Sequence, residues 1–302
     1  MENTELNDAL ASNYLLVDIS FRAWGGERVN QNVSDEVVSA KHASQDAGKF
    51  RMKLLASADT ELKAVRAWIV SLRSFVYSRT LPWSLNDDGA KKGSRLIATT
   101  EAMQFLADTA TMKRGYDNAV LDLQSVWDAR VQQALLNLGD MADASKYPAS
   151  SEVPNLFNVV VELRPMPAVS DFARLTVPAP LAEALGQRLA DQTKAQVTNA
   201  MTDLRDRLAR EIGRIATQLT KVSTGEKTRL YETMLTNTQE LCALARSMNL
   251  TGSKQFEDLI GTIEGKLLAY PIEQLREDVH AAKVVAVQAT QVLEEMNGIE
   301  WY

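Results

Sequence analysis

Along the 302 residues the spacing of apolar side chains changes period several times, and each change predicts a new kind of element. From Tyr14 to Trp24 apolar and polar residues alternate, with Val17, Ile19 and Phe21 on one face and Asp18, Ser20 and Arg22 on the other. That is the period of a half-buried strand. Gly25 and Gly26 end it, and Ser34 or Asp35 then offers a short side chain to cap a helix, with Asp35 and Glu36 suited to the positive end of its dipole. From Val37 to Ser78 no proline intervenes, and Phe50, Leu54, Ala58, Leu62, Val65, Ile69, Leu72 and Val76 recur every three or four residues. This spacing predicts a helix about 60 Å long. The segment Leu81-Pro82-Trp83 and the stretch NDDGAKKGS break it.

A second long helix is expected from Thr99 to Leu138, its apolar face running from Phe105 through Tyr116, Leu123 and Trp127 to Leu138. Two helices of similar length joined by a turn predict an antiparallel, coiled-coil-like hairpin. Leu156–Arg164 is β-branched and alternating, Pro165 and Pro167 stop it, and Phe172–Val177 reads as a partner strand. With the first strand this gives a small three-stranded antiparallel sheet at one end of the hairpin. From Leu181 to Val222 the helical period returns, but its middle, ADQTKAQVTNAMT, is polar for a core helix, so this seam is expected to project into solvent or to pair with another chain. Further helices are expected over Glu226–Met248, Lys254–Leu268 and from Pro271 to Gly298, the last with a face of small residues. The fold class is α+β, mostly α, divided into 1–180 and 181–302.

Composition adds constraints. Hydrophobic residues make up 45% and charged residues 24%, as in a folded protein, and the single Cys242 forms no internal bridge and no zinc cluster. No stretch is apolar enough for a membrane span, and the start lacks the basic and apolar regions of a signal peptide, so a cytoplasmic location is expected. The net charge of -6 hides an uneven distribution: residues 37–95 carry 11 basic and 5 acidic side chains, between blocks that are acidic. This argues against a generic polyanion binder.

Candidate chemistry is sparse. His42 and His280 stand outside any motif and read as solvated or cap-forming residues. Cys242, within ELCALA, reads as a small buried hydrophobe. The run Ser223–Thr228 ends in GEKT but lacks the first glycine of a phosphate loop and the strand before it, so it reads as a helix break. The carboxylate pairs Asp87-Asp88, Glu277-Asp278 and Glu294-Glu295 do not converge by themselves. The basic residues leave more open. Lys49, Arg51, Lys53, Lys63, Arg66 and Arg73 would decorate the first long helix, with Lys91, Lys92 and Arg95 in the loop beyond it. Arg207, Arg210, Arg214 and Lys221 nearly share a stripe on the third. Such faces bind phosphates, dock acidic proteins or simply solubilise a helix. Among the tryptophans, Trp68 and Trp127 fall on core stripes, Trp83 plugs the hairpin end, and Trp301 with Tyr302 packs back on the chain or docks elsewhere, packing back being favoured.

The strand LLVDISFRAWGG before a long helix, the connector TLPWSLNDDGAKKGSRLI, the segment YPASSEVPNLFNVVVELRPMPAVSDFARLTVP and the run TRLYETMLTNTQEL together resemble an uncharacterised family of phage and mobile-element proteins. The resemblance covers most of the chain and carries no catalytic residues. It implies a partner role, in the host cytoplasm if phage-encoded. The function expected is a non-enzymatic, homo-oligomeric scaffold, adaptor or inhibitor that engages a protein partner, with no cofactor and no membrane. The alternative is a nucleic-acid-binding accessory protein. In either case Lys49, Arg51, Lys53, Arg66, Arg73, Arg207, Arg210 and Arg214 are the candidate contacts.

Overall fold

In a computed structural model, residues 3–55, 60–83, 93–174, 176–299 and 301 are described. The protein is mostly helical with a small antiparallel sheet. In chain order the regular elements are α1 (Asn3–Asn13), β1 (Tyr14–Arg22), β2 (Glu27–Val29), α2 (Gln31–Ala40), β3 (Arg51–Lys53), α3 (Thr60–Ser78), β4 (Leu81–Trp83), β5 (Ser94–Ala98), α4 (Ala102–Leu138), β6 (Asn158–Pro165), α5 (Ala179–Ser223), α6 (Thr233–Ser247), α7 (Lys254–Leu267), α8 (Ile272–Glu277) and α9 (Val279–Asn297). Compactness divides them into two interleaved units. One is Met1–Asp18, Tyr77–Phe105 and Glu162–Tyr302; the other is Ile19–Val76 and Leu106–Val161.

The expected three-stranded sheet has four strands in the order β4-β5-β1-β6, and β2 and β3 form a separate two-stranded ribbon. β5 is the strand that short-range alternation misses: its four residues Arg95 to Ala98 are all buried, so no polar face marks it. Pro82 lies in β4, at the sheet edge, where a missing N–H costs no ladder bond. The expected strand Phe172–Val177 is not found among the described residues, and Val169–Arg174 forms a 3-10 turn instead. Side chains of α1 and of the turn itself hold it: Asn7 Oδ1 accepts from the N–H of Val169 at 2.7 Å, Asp8 Oδ1 from Ser170 at 3.1 Å, and Asp171 Oδ2 from Ala168 at 3.0 Å. Local polar bonding wins here over β propensity.

The expected helix Val37–Ser78 is also overturned. It resolves into α2, an extended segment with β3, and the 19-residue α3. Asn30, not Ser34 or Asp35, caps α2 by accepting from the N–H of Val33 at 3.2 Å. Ser34 is buried, and its hydroxyl accepts from the N–H of Phe50 at 2.9 Å, tying the returning chain to the helix it left. The reversal uses a left-handed residue, His42 at φ 52°. With α3 half as long as the 37-residue α4, the equal-length hairpin is not found. The two helices do run in opposite senses where they touch, Glu61 meeting Arg130 at 2.8 Å and Trp68 lying over Gly115.

The second unit is built around Trp127, fully buried on α4, with Trp24 edge-on to it at 5.2 Å between ring centroids. Leu62, Val65, Ile69 and Leu72 of α3 pack into the same core, with Val153, Phe157 and Val159. In the first unit α5 is the spine and packs along α9, α6 and α1. The small residues of α9, Ala282, Ala286 and Ala289, are buried at this approach. The polar middle of α5 does not project. Ala190, Thr193, Val197, Ala200 and Met201 are all buried, and Thr193 Oγ1 accepts from Nδ2 of the fully buried Asn7 at 2.8 Å. What reads as a weak seam is a seam covered by α1 of the same chain, with one polar pair satisfied inside it. Trp301 is buried edge-on against Phe256, its Nε1 donating to the carbonyl of Met296 at 3.0 Å, so the terminal tryptophan packs back.

Candidate functional site

The basic candidates come from both units, and their fates differ. In the second unit Lys49, Arg51 and Lys53 lie on an extended segment rather than on a helix. Its ribbon pairs Glu27 with Lys53, Arg28 with Met52 and Val29 with Arg51. The flanking bonds, from Leu54 N–H to Gly26 O at 2.7 Å and from Asn30 N–H to Phe50 O at 3.0 Å, fix the phase of the ladder. Arg28 and Met52 are therefore the hydrogen-bonded pair, while the N–H and C=O groups of Arg51 and Lys53 point away from β2. Met52 and Leu54 are buried, and Lys49, Phe50, Arg51 and Lys53 are exposed. The cations thus recur at every second residue, roughly 6.6 Å apart. None of the three forms an ion pair among the described residues. Phe50 beside them is 39% exposed.

Arg66 and Arg73, on α3 of the same unit, are engaged. Arg66 Nη2 donates to the carbonyl of Gly25 at 3.1 Å, and the guanidinium of Arg73 lies 4.8 Å from the centroid of Phe21.

In the first unit one arginine of the α5 stripe, Arg207, is turned inward, while Arg210 and Arg214 are exposed. Arg207 donates from Nη1 to the carbonyl of Tyr77 at 2.8 Å and from Nη2 to that of Thr80 at 3.3 Å, and Asp203 Oδ2 stands 2.7 Å from Nη2. Arg95, expected in an exposed loop, is in β5 and only 5% exposed. Its Nε donates to Thr80 Oγ1 at 2.6 Å and its Nη2 to Thr80 O at 2.8 Å, and its guanidinium carbon lies over the Tyr77 ring, 4.2 Å from the centroid. Arg207 therefore reaches a carbonyl in the last turn of α3, where a helix dipole favours cations, and both guanidiniums converge on the carbonyl of Thr80 just beyond that turn. Burial, then the charge of Arg207, pulls Arg95 down to about 10, against the opposing pull of Asp203 and Tyr77. Arg207 is also lowered, by burial first, with Asp203 opposing. Arg214 pairs with Glu211 at 3.1 Å, while Arg210 is exposed. Lys91 and Lys92 lie outside the described residues, as do Asp87 and Asp88.

The remaining candidates stay apart from any constellation. His42 and His280 are exposed. Asp278 Oδ1 accepts from the backbone N–H of His280 and of Ala281, capping α9. Cys242 is buried, and its thiol is pushed up to about 12 by burial and by the nearby Glu264. The GEKT run follows the end of α5, where Gly225, at φ 77°, donates to the carbonyl of Val222 at 3.1 Å. That is a helix C-terminus with its glycine in the left-handed region. Among the described residues no group of three or more His, Cys, Asp or Glu is placed to hold a metal ion, and no helix is long and apolar enough to cross a membrane.

Lys49, Arg51 and Lys53 lie on an extended segment with β3, not on the long helix expected for them. The only signal for the ribbon in the sequence is the alternation KFRMKL, directly after the segment Ser44 to Gly48. Compared with protein-family models, with curated proteins and with solved structures, the chain gives no match in any of the three.

Proposed function

We propose that the chain is a non-enzymatic adaptor of phage or mobile-element origin that docks an acidic protein partner on the ribbon of β2 and β3. The observation that carries this reading is the row Lys49, Arg51 and Lys53: exposed, on a fixed backbone, and spent on no ion pair among the described residues. Cations held inside a protein are committed to its stability, whereas exposed, unpaired cations are available to a complementary surface. Self-association through a spare apolar seam has weaker support. On α4 the exposed Leu106, Leu121 and Leu136 follow one another at intervals of 15 residues, about 22 Å, too far apart for a continuous stripe.

The second reading, nucleic-acid contact, is favoured by one observation, the partly exposed Phe50 adjacent in sequence to the cations, since aromatics near a basic track are how single strands are stacked and held. Fluorescence anisotropy of the full chain against a labelled oligoglutamate peptide and a labelled single-stranded oligonucleotide separates the two. The adaptor reading expects the peptide to bind, to weaken between about 50 and 200 mM salt, and to be lost on combining Lys49→Glu, Arg51→Glu and Lys53→Glu. Peptide binding indifferent to that triple change overturns it. Preference for the oligonucleotide, lost in the same variant, establishes the second reading instead.

A further inference from the structure

The cation row coincides with an open strand edge, and the two together specify more than a charge. Resting on the adaptor reading, we infer that β3 binds its partner by strand addition, accepting an extended acidic segment with a carboxylate at every second residue. The ladder phase supplies the first half of the argument. Arg51 and Lys53 are both in non-hydrogen-bonded positions opposite β2, so the N–H and C=O of each point outward, and among the described residues nothing takes them. An exposed edge with alternate donors and acceptors is a template for another strand.

Side-chain charge then selects the occupant. In an added strand the residues directly opposite Arg51 and Lys53 share their face, so carboxylates there meet both cations, and a third two residues on reaches Lys49. A second copy does not fit. Antiparallel pairing of β3 with itself, centred on Met52, sets Arg51 against Lys53 twice, and centred on Arg51 it sets like against like, which is the usual protection of an edge. The outer edge of β2 presents Glu27 and Val29 and repels an acidic strand. A phosphate backbone is the poorer fit to β3, because it has no N–H to offer the two outward carbonyls. With only three residues in β3, the contact is short and steeply salt-dependent.

The test uses the full chain and a labelled heptapeptide alternating glutamate and valine, with glutamate at both ends. Relative to it, N-methylation of the glutamates removes the N–H groups that would face β3, whereas N-methylation of the valines removes only those facing away. Expected are at least tenfold weaker binding for the glutamate-methylated peptide, little change for the valine-methylated one, at least tenfold weaker binding to the combined Arg51→Glu and Lys53→Glu variant, and recovery there with a lysine–valine peptide. Unchanged circular dichroism and melting of the variant show that its fold is intact. If the charge variant loses the peptide while both methylated peptides bind alike, strand addition is overturned and docking on the ribbon stands. If neither change matters, both fall. If a single-stranded oligonucleotide binds and the peptide does not, strand addition is overturned in favour of nucleic-acid contact.

Discussion

Lys49, Arg51 and Lys53 occupy five residues of the second unit; Arg207, Arg210 and Arg214 occupy eight of the first. As strings of charge they are equivalent. In the folded chain Arg207 is bonded to the carbonyls of Tyr77 and Thr80 and paired with Asp203, Arg214 is paired with Glu211, and Arg95 joins the same polar cluster from β5. The three cations of the ribbon have no such partners among the described residues. The difference follows from backbone geometry. A helix packed along its length turns some of its cations toward the carbonyls that another helix leaves at its end, whereas a two-stranded ribbon buries one face and leaves the other to water. Charge density along a sequence therefore marks where cations are, and only the packing decides whether they are free to bind something else.

The strongest way to break this comparison is to remove one cation from each place. Arg95→Met takes two donors from Thr80 and the guanidinium from over the Tyr77 ring, at a position only 5% exposed. It is expected to cost about 2–4 kcal/mol in urea unfolding followed by circular dichroism. Arg51→Met, on the ribbon, is expected to change stability by less than about 0.5 kcal/mol. Equal costs for the two would erase the distinction on which the functional reading rests.

The framework behind the ribbon gives the next largest effect. At Gly115 a β-carbon would stand 2.5 Å from two ring atoms of Trp68, so α3 and α4 approach closely only because that position has no side chain. Gly115→Ala gains roughly 1 kcal/mol of helix propensity and meets an overpacking cost of about 1–3 kcal/mol. A net loss of about 1 kcal/mol is expected, and Gly115→Val should lose more, with the tryptophan emission altered in both. A neutral or stabilising Gly115→Val would mean that α3, which holds Gly25 through Arg66, is not fixed against α4.

How much of this was legible before the fold was known depends on what set each element. α4, α5 and α7 are long and periodic, and their limits fall within three residues of those expected from Thr99–Leu138, Leu181–Val222 and Lys254–Leu268. The failures are short elements governed by partners distant in sequence. Phe50, Leu54, Ala58 and Leu62 keep a helical spacing across 37–78, yet Phe50 is held by Ser34 and Met52 by Arg28, in a ribbon whose three-residue strands are too short to show a period of two. Phe172–Val177 has a strand composition, but α1 bonds Val169 and Ser170 at the start of a turn that runs to Arg174, and a residue such as Asn7 gives no local sign of its partners at 167, 169 and 193. The same holds for the site. Arginine and lysine positions were readable, but their commitment was not, since Arg95 is fixed by its contacts with Thr80 and Tyr77, made only when β5 pairs with β4.

Titration sharpens the contrast by a smaller effect. Cys242 sits among apolar residues of the first unit with its thiol raised from an ordinary 9.0 to about 12, so the folded state keeps a proton that the unfolded chain releases. Its contribution is complete below pH 9 and is lost as the pH rises toward 12. Arg95 has the opposite sign. Its value is lowered to about 10, so the folded state releases a proton first and stability from this group rises above that pH. Cys242→Ala should therefore flatten the alkaline fall of stability between pH 9 and 12, measured by urea midpoints at fixed salt. In the native protein at pH 8 the thiol should react slowly with a disulfide reagent and quickly once denatured. A fast native reaction would place it outside the core.

The smallest expected change in stability is the most informative. Combining Lys49→Glu, Arg51→Glu and Lys53→Glu reverses three charges, yet each side chain is exposed and none holds an ion pair among the described residues. The one direct conflict introduced is a glutamate at 53 opposite Glu27, a cross-strand repulsion of a few tenths of a kcal/mol. Relief of repulsion among three neighbouring cations offsets part of it. The melting temperature should therefore move by no more than about 2 °C for a chain of this size, while acidic-peptide binding is lost. Arg207→Glu should do the reverse, placing a carboxylate against Asp203 and the carbonyls of Tyr77 and Thr80, and it should lower the melting temperature clearly without touching the ribbon. If the triple variant instead unfolds, its cations serve the fold as Arg207 does, and the ribbon is not a surface held in reserve for a partner.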